Sequence, residues 1–223
     1  MTTTTTTTTV STPSASPTTP INPDCDLSQL LYDVALVFDV GEIATIDTNR
    51  LLNYAKNVAL LFSANFTIGS KGGQFALLQY GDARGAWTWA DFKTYGSHNA
   101  LNSHINGSVR GSGQGPNDLD KAFEQIYEYF IAPGPEPGVR PNARHMVIFF
   151  STQSPANLTA AISAAKTLRN ATFCTVGIAS GGVDISRVVG GANFATALNS
   201  PNDIPTVVQW LRHFVCTQPA CPP

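Results

Sequence analysis

The sequence predicts an α/β fold of three layers: a doubly wound, mostly parallel sheet with helices on both faces and one antiparallel strand at an edge. Short apolar runs of β-forming residues alternate with longer segments whose apolar residues recur at helical spacing. Such alternation is typical of βαβ units, which build parallel sheets covered on both faces. The short turn at Gly81–Asp82 leaves no room for a crossover helix, so the strands on either side of it are predicted to form an antiparallel hairpin.

Local patterns justify the elements of the first half. The apolar run 33–39 is typical of a strand buried on both faces. Regularly spaced apolar residues behind Asp47, which can cap a helix, predict a helix over 47–63. The segment 96–116 is rich in Gly, Ser and Asn, and is predicted to hold at most a short helix. The two strands of the predicted hairpin are 74–80 and 86–92.

The second half continues the alternation. Apolar residues on one helical face predict a helix over 117–131, and 145–150 is the strongest buried strand. Ser154 as a cap and Pro155 at the first helical position predict the start of the next helix. The remaining predicted elements are strands at 173–179 and 194–197, a short helix at 184–189 and a last helix at 204–215.

Loops that follow parallel strands gather at one edge of the sheet, and ligands of such sheets bind there. We call this edge the loop edge. It is predicted to hold residues 39–46, 111–118, 151–155 and 180–184.

Three regions are expected along the 223 residues. Residues 1–24 include eight consecutive threonines, Thr2–Thr9, and are predicted to be a disordered linker that carries O-linked glycans. Residues 25–216 are predicted to be one folded domain, and 217–223 a C-terminal tail.

Composition excludes some classes of protein. The net charge is −2 and only 13% of residues are charged, against about 25% in typical soluble chains. Nucleic-acid binders usually carry a basic patch, and none is evident, so no nucleic-acid partner is expected. No apolar run approaches the length of a membrane-spanning helix, so no membrane span is expected either.

The cysteines indicate an oxidising compartment. Their spacing matches no zinc motif. Cys25 opens the folded region and is predicted to form a disulfide with Cys216 or Cys221, which close it. Cys174 lies in an apolar strand and is expected to be a buried free thiol.

Glycosylation sequons favour the same compartment. They begin at Asn65, Asn106, Asn157 and Asn170. Together with the cysteines and the threonine-rich leader, they predict a secreted or cell-surface protein. No signal peptide follows Met1, so the signal, and a further domain, are expected to lie upstream.

Four stretches resemble the von Willebrand factor type A (VWA) domain, and the resemblance covers residues 25–216. In chain order they are Tyr32-Asp-Val-Ala-Leu-Val-Phe-Asp39, Gln74-Phe-Ala-Leu-Leu-Gln-Tyr-Gly81, Leu119-Asp-Lys-Ala-Phe123 and His145-Met-Val-Ile-Phe-Phe-Ser151. With the leader and the terminal cysteines, the chain is similar to divergent secreted copies found in nematodes. The resemblance implies an extracellular partner and upstream C-type lectin or CUB-like domains.

The resemblance also implies a divalent-metal site on the loop edge, formed by Asp-x-Ser-x-Ser, a Thr and a second Asp. Asp39 fills the first position. Gly41 and Ile43 stand in place of the serines, Gly115 in place of the Thr and Thr152 in place of the second Asp. This remnant is expected to bind no metal and to need no cofactor, with Asp39 as a structural carboxylate. The candidates for substitute metal ligands, or for contacts with a partner on this edge, are Glu42, Gln114, Asp118 and Gln153.

Trp87 and Trp89 share one side of the third predicted strand. Both tryptophan side chains are expected to pack under a helix. The alternative is an exposed pair that anchors a partner or stacks on a sugar. Because a glycan on Asn157 would stand beside the degenerate metal position, binding is expected to shift towards 96–116 and this pair.

The function expected from these features is that of a non-enzymatic extracellular module that binds protein or glycan without a metal. Two alternatives remain open. One is metal-dependent adhesion through the substitute ligands around Asp39. The other is an enzyme, which would need acid–base groups on the loop edge, where only Asp39, Glu42, Asp118 and Asp184 carry carboxylates. No motif for a nucleophile elbow, phosphate loop or zinc protease is present.

Overall fold

The computed structural model describes residues 25–111, 115–132 and 138–217, together with Cys221. The predicted linker 1–24 lies outside this part of the chain, as do residues 218–220 and 222–223 of the predicted tail.

The sheet has six strands in the order β3-β2-β1-β4-β5-β6, and only β2 and β3 pair antiparallel. The strands are β1 Tyr32–Asp39, β2 Gly73–Asp82, β3 Gly85–Ala90, β4 Arg144–Ser151, β5 Phe173–Ala179 and β6 Ala195–Ala197. The predicted fold class is confirmed, including the antiparallel strand at one edge.

Helices cover both faces of the sheet. They are α1 Glu42–Ser63, α2 His98–Gly107, α3 Leu119–Ile126, α4 Leu158–Asn170, α5 Ser186–Val189 and α6 Ile204–Thr217. Apolar residues of α1, α2 and α6 pack with one face of the sheet, and those of α3, α4 and α5 with the other. On β1 the side chains alternate between these two cores: Leu36 lies in the first, and Val37 in the second. No helix among the described residues is both long and apolar enough for a membrane span.

Two helix starts differ from the sequence prediction. Helix α1 begins at Glu42, directly after Gly41, rather than at Asp47. Helix α4 begins at Leu158 because the side chain of Asn157, not that of Ser154, accepts a hydrogen bond from the first turn, from Ala160 N, at 3.1 Å. Helix α3 continues as a π-helical turn over Tyr127–Ile131.

The segment predicted to hold at most a short helix contains a helix of 10 residues. Helix α2 is capped by Ser97, whose hydroxyl accepts a hydrogen bond from Ala100 N. Its Leu101 and Ile105 are buried in the α1 face core. Polar residues dominate α2, so two apolar residues four positions apart were its main sequence signal.

Both disulfides join chain ends to the body of the domain. Cys25 pairs with Cys216, as predicted. Cys174 is bonded to Cys221, so the expectation of a free thiol was wrong. Cys174 lies on β5 and points into the core that α6 covers, and Cys221 follows α6. The chain returning from α6 therefore meets β5, a contact that spacing alone could not show.

A buried ion pair ties together the edge of the sheet opposite the loop edge. The Arg140 guanidinium donates to the Asp33 carboxylate, with Nε 2.8 Å from Oδ1. The same group donates to the carbonyl oxygens of Ser70, Tyr32 and Gly72 at 2.8–2.9 Å. We call this set the Arg140 clamp; it joins the starts of β1 and β2 to the segment before β4.

Candidate functional site

Asp39, the last residue of β1, lies at the centre of the loop edge. It is buried, and its neighbours come from the chain after β1, the segment before α3 and the end of β4. Parallel strands of one sheet end at the same side, which is why segments distant in sequence meet here.

The Asp39 carboxylate accepts four hydrogen bonds. Oδ1 accepts from Gly41 N at 2.9 Å. Oδ2 accepts from the backbone and hydroxyl of Thr152, at 2.9 and 2.7 Å, and from Asn117 Nδ2 at 3.3 Å. Burial raises the pKa of the Asp39 carboxyl, and the bonds from Thr152, Gly41 and Asn117 oppose that rise. Asp39 thus ties the surrounding loops together, the role expected of a structural carboxylate.

Three glycines close the site on the Oδ1 side. A Cβ atom on Gly41 would lie 3.1 Å from Asp39 Oδ1 and 3.3 Å from the carbonyl oxygens of Gly81 and Gly115. A Cβ atom on Gly115 would lie 2.5 Å from the Gly81 and Asp82 carbonyl oxygens. Gly81 has φ = 83°, a conformation that favours glycine. A side chain at position 115 would therefore clash with backbone oxygens, and one at position 41 would require its neighbours to shift slightly.

These residues do not fit the divalent cation that the family resemblance implies. A hard cation needs several oxygen ligands. Here the groups that face Asp39 are N–H and O–H donors, and backbone fills the space where ligand side chains would stand. Among the described residues, no three His, Cys, Asp or Glu side chains cluster as a metal-binding group.

The substitute ligands do not converge on Asp39. Ile43 and Glu42 lie exposed in the first turn of α1. Asp118 Oδ1 accepts a hydrogen bond from Gly81 N at 2.9 Å, and burial raises the pKa of its carboxyl. Gln153 contributes to the site through its backbone carbonyl oxygen, which accepts hydrogen bonds from the side chains of Asn117 and Ser151. Gln114 lies outside the described residues.

Sequence reasoning missed Asn117, which is buried at the centre of the site. Its Nδ2 donates to Asp39, to Ser151 Oγ and to the Gln153 carbonyl. The backbone carbonyl oxygen of Asn117 accepts a hydrogen bond from Ala156 N at 2.8 Å. In the sequence, an Asn just before a helix resembles an ordinary helix cap. The available signal for its place in the site was that Asn117 lies only two residues after Gly115, which stands in place of the implied Thr.

Trp89 is exposed and Trp87 is half-buried, so the expectation that a helix covers the pair does not hold for Trp89. The Trp89 side chain is 41% exposed, and its indole N–H donates to Gln79 Oε1 at 2.6 Å. The rings of Trp87 and Trp89 meet edge to face at 5.8 Å. Arg84 lies over Trp87 at 4.4 Å from the ring centre, and His104 of α2 contacts Trp89. We call Arg84, Trp87, Trp89 and His104 the tryptophan surface.

The sequon asparagines lie at both edges of the sheet. Asn157 caps α4 on the loop edge, close to the Asp39 site. Asn65 and Asn170 lie at the ends of α1 and α4, towards the opposite edge. Asn106 lies exposed near the end of α2.

Comparisons with solved structures agree with this fold. Proximal thread matrix protein 1 (PTMP1) from the mussel byssus superposes with a TM-score of 0.72 at 17% identity, over 85% of this chain and 47% of that one. This chain thus spans about half the length of PTMP1. Manganese-loaded TRAP protein of Plasmodium vivax gives a TM-score of 0.60 at 11% identity, over 82% of this chain and 73% of its own.

The VWA domain of SpRpn10 gives a TM-score of 0.58 at 11% identity, over 80% of this chain and 94% of its own. Another PTMP1 structure has zinc in its metal-ion-dependent adhesion site (MIDAS). No curated protein sequence matches this chain. These low identities establish the fold alone.

The family assignment comes from the sequence itself. The model of the von Willebrand factor type A domain, a module of adhesion and protein interaction, matches residues 33–205. This match runs from β1 to the start of α6 and includes every strand. The chain therefore belongs to the von Willebrand factor type A domain family.

Proposed function

We propose that this domain is an extracellular, non-enzymatic interaction module that binds a protein partner without a metal ion, through the tryptophan surface. The observation that carries the proposal is the edge strand β3, where the exposed Trp89 ring meets the half-buried Trp87 ring. Tryptophan and arginine are enriched among the residues that dominate binding energy in interfaces. A glycan is the alternative partner, because exposed indole rings also stack on sugars.

The Asp39 site supports binding without a metal. PTMP1 and TRAP are related in fold, and structures of them hold zinc and manganese. In this chain Asp39 already accepts four hydrogen bonds, and Gly41 and Gly115 replace hydroxyl ligands. A cation would have to displace these donors with only one carboxylate to attract it.

The disulfides and sequons support secretion. Four cysteines form two disulfides, which persist in oxidising compartments. Asn106, Asn157 and Asn170 are exposed, as acceptors of glycans must be in the folded protein.

The carboxylates of the loop edge support a role without catalysis. General acid–base chemistry needs titratable groups that converge on one substrate position. Asp39 is buried under its donors, Asp118 is bonded to Gly81 N, and Glu42 is exposed on α1. Asp184 is bonded to the backbone of Ser186.

The test compares two exposed aromatic residues on opposite faces. The disulfide-bonded domain is used to isolate binding proteins from extracellular extracts, and affinity for each is then measured with W89A and Y129A. Tyr129 is 44% exposed, close to the 41% of Trp89, but lies on the α3 side. We expect W89A to weaken binding by at least about tenfold and Y129A to change it by less than about twofold.

Chelation tests whether binding depends on a metal ion, and deglycosylation of the partner tests whether the ligand is a glycan. We expect EDTA to leave affinity unchanged, and enzymatic removal of the partner's glycans to leave it unchanged too. Loss of binding in EDTA, or equal effects of W89A and Y129A, would contradict the proposal. Loss after deglycosylation of the partner would identify a glycan ligand instead.

A further inference from the structure

The side-chain nitrogen of Asn117 is surrounded by oxygen atoms. It lies 3.3 Å from Asp39 Oδ2, 3.1 Å from Ser151 Oγ and 3.1 Å from the Gln153 carbonyl oxygen. The Asn117 side chain is only 2% exposed. Three oxygen atoms from two segments, the end of β1 and the end of β4, therefore converge on one buried donor.

The amide orientation is settled by its partners. The Ser151 hydroxyl donates to the Gln153 carbonyl at 2.9 Å, so its oxygen is free to accept from Asn117. With the amide reversed, Asn117 Oδ1 would face three acceptors, which is unfavourable. In the observed orientation, Oδ1 makes no hydrogen bond to the described residues, so the side chain is held through its nitrogen.

The spacing of these atoms matches that of ligands around a divalent cation. Neighbouring oxygen ligands of Mg²⁺, each about 2.1 Å from the metal and at right angles, lie about 3.0 Å apart. Nδ2 of Asn117 is 3.1–3.3 Å from its three oxygen neighbours. An oxygen atom in place of this nitrogen would thus lie at ligand spacing from each of the other three.

We propose that the hydrogen bonds of the Asn117 amide join this edge as a bound cation would, and that the single substitution N117D supplies a further ligand and converts the edge into a divalent-cation site. The amide satisfies Asp39 with hydrogen atoms instead of a metal, and holds the ends of β1 and β4 together permanently. A carboxylate of nearly the same shape would add a second negative charge beside Asp39. The two charges repel each other in the absence of a cation, and a divalent cation bound between them relieves the repulsion.

The experiment measures thermal unfolding and calorimetric binding with Mg²⁺ and Mn²⁺ on the disulfide-bonded domain. For the wild-type chain we expect no saturable site and no change of melting temperature with either cation. For N117D we expect one site per chain and a lowered melting temperature without cation. Cation at a hundred times its dissociation constant should raise that temperature by about 5–10 °C.

Two further variants make the test decisive. N157D places the same charge on the same edge, but away from the oxygens around Asn117, and should gain no cation response. N117A serves if N117D does not fold: it leaves the three oxygen atoms facing an unfilled space, so Mn²⁺ should partly restore its lowered melting temperature. A folded N117D chain that responds to neither cation would overturn the proposal. The proposal would also be overturned if N117A had the melting temperature of the wild type, or if Mn²⁺ left the melting temperature of N117A unchanged. Cation binding by the wild-type chain that is lost in D39A would overturn it as well.

Discussion

Glycine at position 115 reflects close contact between backbones rather than a need for flexibility. Gly115 N donates to the Gly81 carbonyl at 3.1 Å, and the Asp82 carbonyl lies just beyond. Where the family resemblance implies a Thr, this chain has brought the segment before α3 against the end of β2. The absence of a side chain at position 115 is therefore what allows this close packing.

Substitution of Gly115 should show this contact directly. We expect G115A to lower the free energy of unfolding by about 1–3 kcal/mol, because its Cβ atom would lie 2.5 Å from backbone oxygens. The matched control is G96A, since a Cβ atom there meets nothing within 4 Å. Urea denaturation of both variants is the measurement, and equal stability of G115A and G96A would show that the loops separate easily.

The Arg140 clamp acts between elements, because one guanidinium holds carbonyl groups at the starts of both β1 and β2. Its partner Asp33 is fully buried on β1. Burial raises the pKa of the Asp33 carboxyl, and the hydrogen bonds and charge of Arg140 oppose the rise. Without Arg140, the buried carboxylate would lose its main counter-charge.

We expect R140M to lower the free energy of unfolding by about 3–5 kcal/mol at pH 7, the usual effect of removing one partner of a buried pair. The loss should be smaller near pH 4. Asp33 has a raised pKa in the folded state, so its protonated form stabilises the fold at low pH, and this contribution disappears as the pH rises through the folded pKa. Near pH 4 more of the Asp33 carboxyl is protonated and needs no counter-charge. Denaturation curves at both pH values test this.

The control for the Arg140 clamp is R187M, because Arg187 is exposed on α5. Its effect should stay within about 0.5 kcal/mol at either pH. If R140M loses as much stability at pH 4 as at pH 7, the Asp33 charge is not the cause, and the carbonyl contacts alone explain the loss.

For the whole molecule, the two disulfides close loops of very different length. The sequence separations are 191 residues for Cys25–Cys216 and 47 for Cys174–Cys221. In the chain-entropy model these loops contribute about 5 and about 4 kcal/mol, so each double alanine variant should be destabilised by about that amount. Urea denaturation of the two double variants measures this.

Peptide mapping without reduction gives the connectivity independently. We expect Cys25 to be linked to Cys216, and Cys174 to Cys221. A Cys25–Cys174 peptide, or C174A/C221A with the stability of the wild type, would contradict the arrangement in which the chain after α6 is joined to β5.

The three-layer fold could be predicted from the sequence because its signals are local. Apolar runs and helical spacing belong to consecutive residues, so β5 was predicted at its observed bounds and the hairpin β2–β3 was recognised from its turn. Errors occurred where signals compete at element ends. Asp47 and Ser154 resembled caps, while α1 starts after Gly41 and α4 after Asn157.

The Asp39 site could be predicted only in outline. The sequence alone identified Asp39, the missing hydroxyl groups and the pairing of Cys25 with a C-terminal cysteine, because these depend on residue type and on position along the chain. Tertiary structure decided the rest. Asn117 lies 78 residues from Asp39 and Thr152 lies 113, and only the order of the strands brings them together. The Cys174–Cys221 bond and the exposure of Trp89 likewise depend on which helix covers which part of the sheet, and no local pattern encodes that.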